Sequence, residues 1–162
     1  MRHAKAEPFA ARDDLRPLTD RGVAGARDVG VHLRDRETIP DYAVVSSAVR
    51  TRQSWDAVVS TSRMSDVEVS YDDAVFTGSP DVVMEALRAA PEDADTVMFV
   101  GHNPTASYLC HLLDDGSGEE AAVSEMLHGF PPGAVAVLEV SVPWVELAAG
   151  TGRVVDFYVG HS

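Results

Sequence analysis

Two basic side chains of this sequence fall where a predicted β-strand ends and a predicted helix begins. Arg50 follows the apolar run at residues 42–45, and His102 lies between residues 96–100 and a helix start at Asn103-Pro104. At such ends, a ligand meets backbone N–H groups and the positive end of a helix dipole. An imidazole exchanges protons near neutral pH, and a guanidinium binds oxyanions through paired hydrogen bonds. The placement therefore indicates chemistry on an anionic ligand.

A third unusual feature is the pair Arg2-His3, which stands where a frayed, solvated tail is ordinarily expected. The chain of 162 residues has 13 basic and 26 acidic side chains and a net charge of −13. Such a field repels polyanions, which disfavours nucleic acids and anionic membranes as partners. Any phosphate site must therefore be built locally, from a few arginines.

Capping residues and apolar runs predict the elements that would hold these side chains. The predicted helices start at four sequences: Thr19-Asp20, Ser46-Ser47, Ser79-Pro80-Asp81 and Asn103-Pro104. The predicted strands are residues 42–45, 96–100, 134–140, 144–147 and 154–159. The Gly- and acid-rich residues 114–120 are expected to form a mobile loop. Alternation of strands and helices predicts a three-layer α/β/α sandwich with a mostly parallel central sheet, as one domain over residues 1–162.

The composition of the chain bears on its location in the cell and on whether its histidines could bind a metal. No apolar stretch approaches the roughly 20 residues that cross a bilayer, and the first residues lack the apolar segment of a signal peptide. We expect a cytoplasmic protein. The other histidines stand in no recognised motif and their spacing makes no metal set, so they are interpreted as structural or surface residues: His32, His111, His128 and His161.

Four short motifs resemble a known family when they are taken together and in order. They are Arg2-His3-Ala4-Lys5, Arg16-Pro17-Leu18-Thr19-Asp20-Arg21-Gly22, Ser46-Ser47-Ala48-Val49-Arg50-Thr51-Arg52-Gln53-Ser54 and Val100-Gly101-His102-Asn103-Pro104. Each motif alone is weak, but their order makes coincidence improbable. The sequence resembles the histidine phosphatase superfamily, and most closely its small bacterial SixA-type phosphohistidine phosphatases.

The resemblance implies a role for each candidate site residue. His3 would be the nucleophile that forms a covalent phosphohistidine, because a neutral imidazole is nucleophilic near pH 7. Arg2 and Arg50 would hold the phosphoryl group and stabilise its charge. His102 would donate to the same oxygens, especially if it is protonated. Arg16 would be a substrate contact at the rim or a structural salt bridge, and no metal or cofactor is implied.

The function implied is that of a phosphohistidine phosphatase, with a phosphorylated protein as partner. Two alternatives stay open: a phosphomonoesterase for a small phosphorylated metabolite, and a non-catalytic module that binds phosphate for regulation. Long insertions between the motifs, which could build a pocket for a specific metabolite, are absent from the sequence.

The sequence departs from the family pattern in two places. The resemblance implies a β-strand immediately before Arg2-His3, but only Met1 precedes this pair in the sequence. Either the start is assigned late or the first strand is missing, and in the second case His3 is expected to lie on a flexible segment. Asp72 and Asp73 are the nearest candidates for an acid that protonates the leaving group, and their match to the family is poor. A P–N bond breaks readily once its imidazole is protonated, so a site without a strong acid favours phosphohistidine.

Overall fold

The computed structural model describes residues 1–64 and 67–161. The helices are α1 (Asp20–Asp35), α2 (Val49–Ser62), α3 (Ala74–Thr77), α4 (Pro80–Arg88), α5 (Thr105–Leu113) and α6 (Glu120–His128). The strands are β1 (Tyr42–Ser46), β2 (Glu68–Asp72), β3 (Val97–Val100), β4 (Ala134–Val140) and β5 (Gly152–Val159). Two short 3-10 helices lie at Asp13–Leu15 and Trp144–Glu146.

The strands form two sheets that match the predicted α/β class. β1 is central in a parallel sheet of order β2-β1-β3, and β4 pairs with β5 in an antiparallel ribbon. All three parallel strands end at the same edge, so the residues that follow them lie near one another.

Helices cover both faces of the parallel sheet because its strands are apolar on both sides. Val45 packs with Val29 of α1 and Val58 of α2 on one face. Val44, its neighbour in β1, points to the other face and packs with Val83 of α4 and residues of α5. Adjacent strand residues thus lie in different cores, which produces the three layers expected from the sequence.

Residues 1–3 form no regular strand, but they are not a flexible tail. The ammonium group of Met1 donates to the carbonyl of Phe99 at 2.7 Å, and the N–H of His3 donates to the carbonyl of Gly101 at 2.9 Å. On the other side, the N–H of Arg2 donates to the carbonyl of Ala134 at 2.9 Å. This segment therefore bridges β3 and β4, and the expectation that His3 lies on a flexible segment is wrong.

Beyond Met1, β3 and β4 are separated by a cavity of about 530 Å³. Its walls include Val97 and Phe99 of β3 and Val135 and Val137 of β4. The hydrogen bonds of residues 1–3 connect the two strands at one end of this cavity. The cavity lies along the sheet, away from the edge where the parallel strands end.

Several local predictions are wrong in detail. The strand predicted at 144–147 is instead a 3-10 helix at Trp144–Glu146, because Pro143 precedes it and the indole of Trp144 donates to the carbonyl of Ala94 at 2.6 Å. In the predicted loop at 114–120, the N–H groups of Asp115 and Glu119 donate to carbonyls of β5, and Glu120 already begins α6.

The helices begin largely where the sequence predicts, although two caps differ. Thr19 caps α1 by accepting from the N–H of Gly22 at 3.0 Å. Ala48, not a serine, precedes α2. Asn103 does not cap α5, since its amide donates to the carbonyl of Phe130 at 2.9 Å and the helix begins at Thr105.

Among the described residues, no helix is both long and apolar enough to cross a membrane.

Candidate active site

Four of the predicted site residues converge at the edge where the parallel strands end. Arg50 lies in the first turn of α2 after β1, His102 follows β3, and Arg2 and His3 lie beside β3 in the bridging segment. The rings of His3 and His102 are 5.3 Å apart between centroids. The register of three separate chain segments therefore brings these residues into one site.

His3 is held in a single tautomer by the backbone. Its Nδ1 lies 2.7 Å from the carbonyl oxygen of Ala4. Because a carbonyl oxygen only accepts, Nδ1 carries the hydrogen and the lone pair is on Nε2. His3 is only 8% exposed, and burial, opposed by the Ala4 hydrogen bond and helped by nearby arginine charges, lowers its pKa from 6.5 to about 4. At pH 7 the ring is neutral and Nε2 is available as a nucleophile.

His102 is oriented from both sides of its ring. Its Nδ1 lies 3.3 Å from Nη2 of Arg50, and its Nε2 lies 2.8 Å from the hydroxyl of Ser46. A guanidinium only donates, so Nδ1 accepts and the hydrogen on Nε2 is directed at Ser46. Burial and then the charge of Arg50 lower the pKa of His102 from 6.5 to about 3. The ring is therefore neutral near pH 7, so the protonated state that would strengthen its donation to phosphoryl oxygens is not the one present in the free protein.

Arg50 is a buried cation with one unused donor. Its residue surface is only 4% exposed. Nη1 donates to the carbonyl of Asp13 at 2.6 Å and Nη2 donates to the Asp13 carboxylate at 2.9 Å. The buried Nε has no acceptor anywhere in residues 1–64 and 67–161. Buried donors are nearly always paired, so this N–H indicates a position for a ligand oxygen.

Arg2 shows the same pattern of one fixed and one unused donor. Its Nη1 donates to the carbonyl of Phe130 at 2.9 Å, which fixes the guanidinium against the loop before β4. Its Nε is buried and finds no acceptor in the described part of the chain. Two arginines thus bring unused N–H groups to the site of a neutral histidine, which suits a phosphoryl group with its spread negative charge.

Arg16 lies close enough for its charge to lower the pKa values of both His3 and His102, after larger contributions from burial and other groups. Its Nε is 2.9 Å from the carboxylate of Asp13, and its Nη1 donates to the carbonyl of Glu7 at 3.2 Å. Both roles that the sequence left open for Arg16, a rim contact and a salt bridge, are compatible with this position.

Three residues of the site were missed by the sequence analysis. Ser46 had been interpreted as a helix cap, but its buried hydroxyl contacts His102. The hydroxyl of Ser54 accepts from the N–H of Ala4 at 2.9 Å, next to the nucleophile candidate. Asp13, which bridges two arginines, lies in no motif. The only signal for Ser46 and Ser54 was their place in the motif around Arg50, and Asp13 gave none beyond its spacing of three from Arg16.

The other candidates do not join the site through any described contact. The carboxylate of Asp72 accepts from the N–H of Ala74 at 2.7 Å and so stabilises the start of α3. Among the four excluded histidines, His32 of α1 pairs with Asp156 of β5 at 2.6 Å. Within residues 1–64 and 67–161 no group of three or more His, Cys, Asp or Glu side chains could hold a metal ion.

Sequence comparison finds relatives over nearly the whole chain. An uncharacterized protein of Mycobacterium tuberculosis is 34% identical over 161 residues, which is 98% of this chain and 99% of that protein. An uncharacterized protein of Mycobacterium leprae is 28% identical over 164 residues, with 98% and 99% covered. No protein-family model matches the chain.

Comparison with solved structures identifies the family to which the chain belongs. A protein assigned as the phosphohistidine phosphatase SixA of Nakamurella multipartitia is 34% identical, with a TM-score of 0.86 over 99% of this chain and 93% of that chain. The SixA of Agrobacterium tumefaciens, with the same assignment, is 29% identical, with a TM-score of 0.79 over 98% of this chain and 94% of that chain. A tungstate complex of a SixA protein histidine phosphatase, 23% identical, shares the fold at a TM-score of 0.79 over 98% and 94% of the two chains. With this agreement over nearly its full length, the chain belongs to the SixA-type phosphatases of the histidine phosphatase superfamily.

Proposed function

We propose that this protein is a phosphohistidine phosphatase that transfers the phosphoryl group to Nε2 of His3 and then to water. The observation that carries the proposal is the state of His3: neutral at pH 7, with Nδ1–H bonded to Ala4 and the Nε2 lone pair available. The assignment of two structural relatives as phosphohistidine phosphatases supports the choice of substrate.

In the first step, Nε2 of His3 attacks phosphorus and the P–N bond of the substrate breaks. The leaving imidazole keeps the bonding electron pair and takes a proton from water, and the hydroxide formed is neutralised by the proton that the second step releases. The loose transition state spreads negative charge over three phosphoryl oxygens. The unused Nε–H groups of Arg2 and Arg50 are the donors that we assign to those oxygens.

In the second step, water attacks the phosphorus of phosphorylated His3. The P–N bond to Nε2 breaks, inorganic phosphate leaves, and the proton lost by water goes to phosphate or to solvent. The Nδ1 hydrogen bond to Ala4 persists through both steps, so the ring regains the same neutral tautomer.

The acid–base properties of the site support a P–N substrate over an alkyl phosphate. The carboxylate that contacts the site arginines is that of Asp13. Although burial raises its pKa, the hydrogen bonds and charges of Arg50 and Arg16 hold it below the usual range. At neutral pH Asp13 has no proton to donate to a leaving alkoxide, whereas an imidazole leaving group obtains its proton from water.

The test is turnover of a protein phosphorylated on histidine. We expect the wild-type protein to release inorganic phosphate and to carry a transient phosphoryl group that is labile in acid and stable in base. His3→Ala should remove both signals, while the exposed-residue control His128→Ala retains them. Unchanged turnover in His3→Ala would contradict the assignment of the nucleophile.

A further inference from the structure

We infer that Asp13 is a positioning residue that holds Arg50 with its Nε–H directed at the phosphoryl group. This inference rests on the proposed function. Asp13 begins the short 3-10 helix Asp13–Leu15, outside the four family-like motifs. It acts on the site through Arg50, since its described contacts are to arginines and not to either site histidine.

The contact geometry fixes one edge of the guanidinium. Nη1 and Nη2 of Arg50 form its outer end, and both donate to Asp13, one to the backbone carbonyl at 2.6 Å and one to the carboxylate at 2.9 Å. Because a guanidinium is planar, two such bonds set both its position and its plane.

The adjacent edge of the guanidinium carries the Nε–H and the second hydrogen of Nη2. His102 accepts from Nη2 along this edge at 3.3 Å, and Nε has no acceptor in the described residues. The charge of Arg50 lowers the pKa of His3, which places this cation close to the nucleophile. The edge that Asp13 leaves unused is therefore the one available to a phosphoryl oxygen.

Charge gives a second reason for the pairing. Arg50 is 4% exposed, and a buried cation needs an anionic partner, whereas the side chain of Asp13 is 62% exposed and remains ionised. The other oxygen of the same carboxylate lies 2.9 Å from Nε of Arg16. Asp13 thus links the two arginines and limits the freedom of both.

A carboxylate bound to the site arginines could instead compete with phosphate. The two roles predict opposite results in Asp13→Asn, which keeps the shape and loses the charge. A positioning role predicts weaker binding of inorganic phosphate and a kcat roughly tenfold lower or more, as expected when a charged hydrogen bond is lost. A blocking role predicts tighter phosphate binding, and that result would overturn the inference.

The matched control is Asp14→Asn, since Asp14 pairs with Arg12 at the surface. We expect its kcat, KM, phosphate affinity and melting temperature to match the wild type, whereas Asp13→Asn leaves the buried Arg50 without its anionic partner and should also lower the melting temperature. A double-mutant cycle distinguishes action through Arg50 from a general structural role, and its readout is whether the losses of kcat add. In an Arg50→Ala background, Asp13→Asn should cause no further loss of kcat, and additive losses would refute action through Arg50.

Calorimetric titration with inorganic phosphate separates this inference from the proposed function. If the wild-type protein fails to hydrolyse a phosphohistidine protein, the proposed function is wrong. Weaker phosphate binding in Asp13→Asn but not in Asp14→Asn would still support the role of Asp13. Equal phosphate affinity in both variants and the wild type would contradict that role, whatever the substrate.

Discussion

The protonation of His3 gives the sharpest test of the site. Burial lowers the pKa of His3 from 6.5 to about 4. At pH 6, an imidazole with the ordinary value would be about 24% neutral, whereas one with a pKa of about 4 would be about 99% neutral. We therefore expect the nucleophilic form of the free protein to persist well below pH 6.

The assay is an NMR titration of the histidine ring protons. The resonance of His3 is assigned as the one that disappears in His3→Gln, and its midpoint should lie near pH 4 in the folded protein. A midpoint between pH 6 and 7 would refute the argument that burial controls this ring. It would also mean that a large fraction of the nucleophile is protonated under mildly acidic conditions.

The same shift predicts a dependence of stability on pH. The folded state holds His3 neutral, while in the unfolded state its pKa is near 6.5, so below that pH protons favour unfolding. Stability should therefore fall as pH decreases from 6.5 to about 4, by about 3 kcal/mol from this residue. The difference in unfolding free energy between the wild type and His3→Gln, measured across this window, isolates the effect.

Three further predictions concern the frame of the site. Ser46→Ala leaves the Nε2–H of His102 without its acceptor and should cost about 1–3 kcal/mol of unfolding free energy in chemical denaturation, with slower turnover. Gly22→Ala would place a methyl group 2.0 Å from the carbonyl oxygen of Lys5 and displace α1. This overpacking should lower the unfolding free energy by about 1–3 kcal/mol, and the melting temperature should fall with it. A short apolar extension before Met1 should enter the cavity between β3 and β4 and raise both melting temperature and turnover, while a Gly-Ser extension of equal length should change neither.

Local sequence patterns predicted the elements that carry the site. The apolar run at residues 42–45 and the one at 96–100 became β1 and β3, because apolar and β-branched residues favour strands buried on both faces. Parallel strands end at one edge, so Arg50 and His102 could be placed together without knowledge of the register. These inferences needed only short-range patterns and a general rule of α/β folds.

The setting of His3 depended on contacts far along the chain. Its segment is fixed by Phe99, Gly101 and Ala134, and no local pattern reveals that three residues can bridge two strands. Asp13 reaches Arg50 across 37 positions for the same reason. The pairing of Asp13 with Arg50 arises from the packing of α2 against the loop before α1. Residue types alone do not specify this packing.

The sequence by itself determined the chemistry available to this protein: two histidines and two arginines in the order of a known family, with Arg50 and His102 at predictable strand ends. Only the tertiary structure decided the state of those groups. Burial makes His3 and His102 neutral, and the acceptors Ala4 and Ser46 select which ring nitrogen carries the hydrogen. Desolvation and hydrogen-bond direction depend on neighbours brought together by folding, and they turn a histidine into a defined nucleophile.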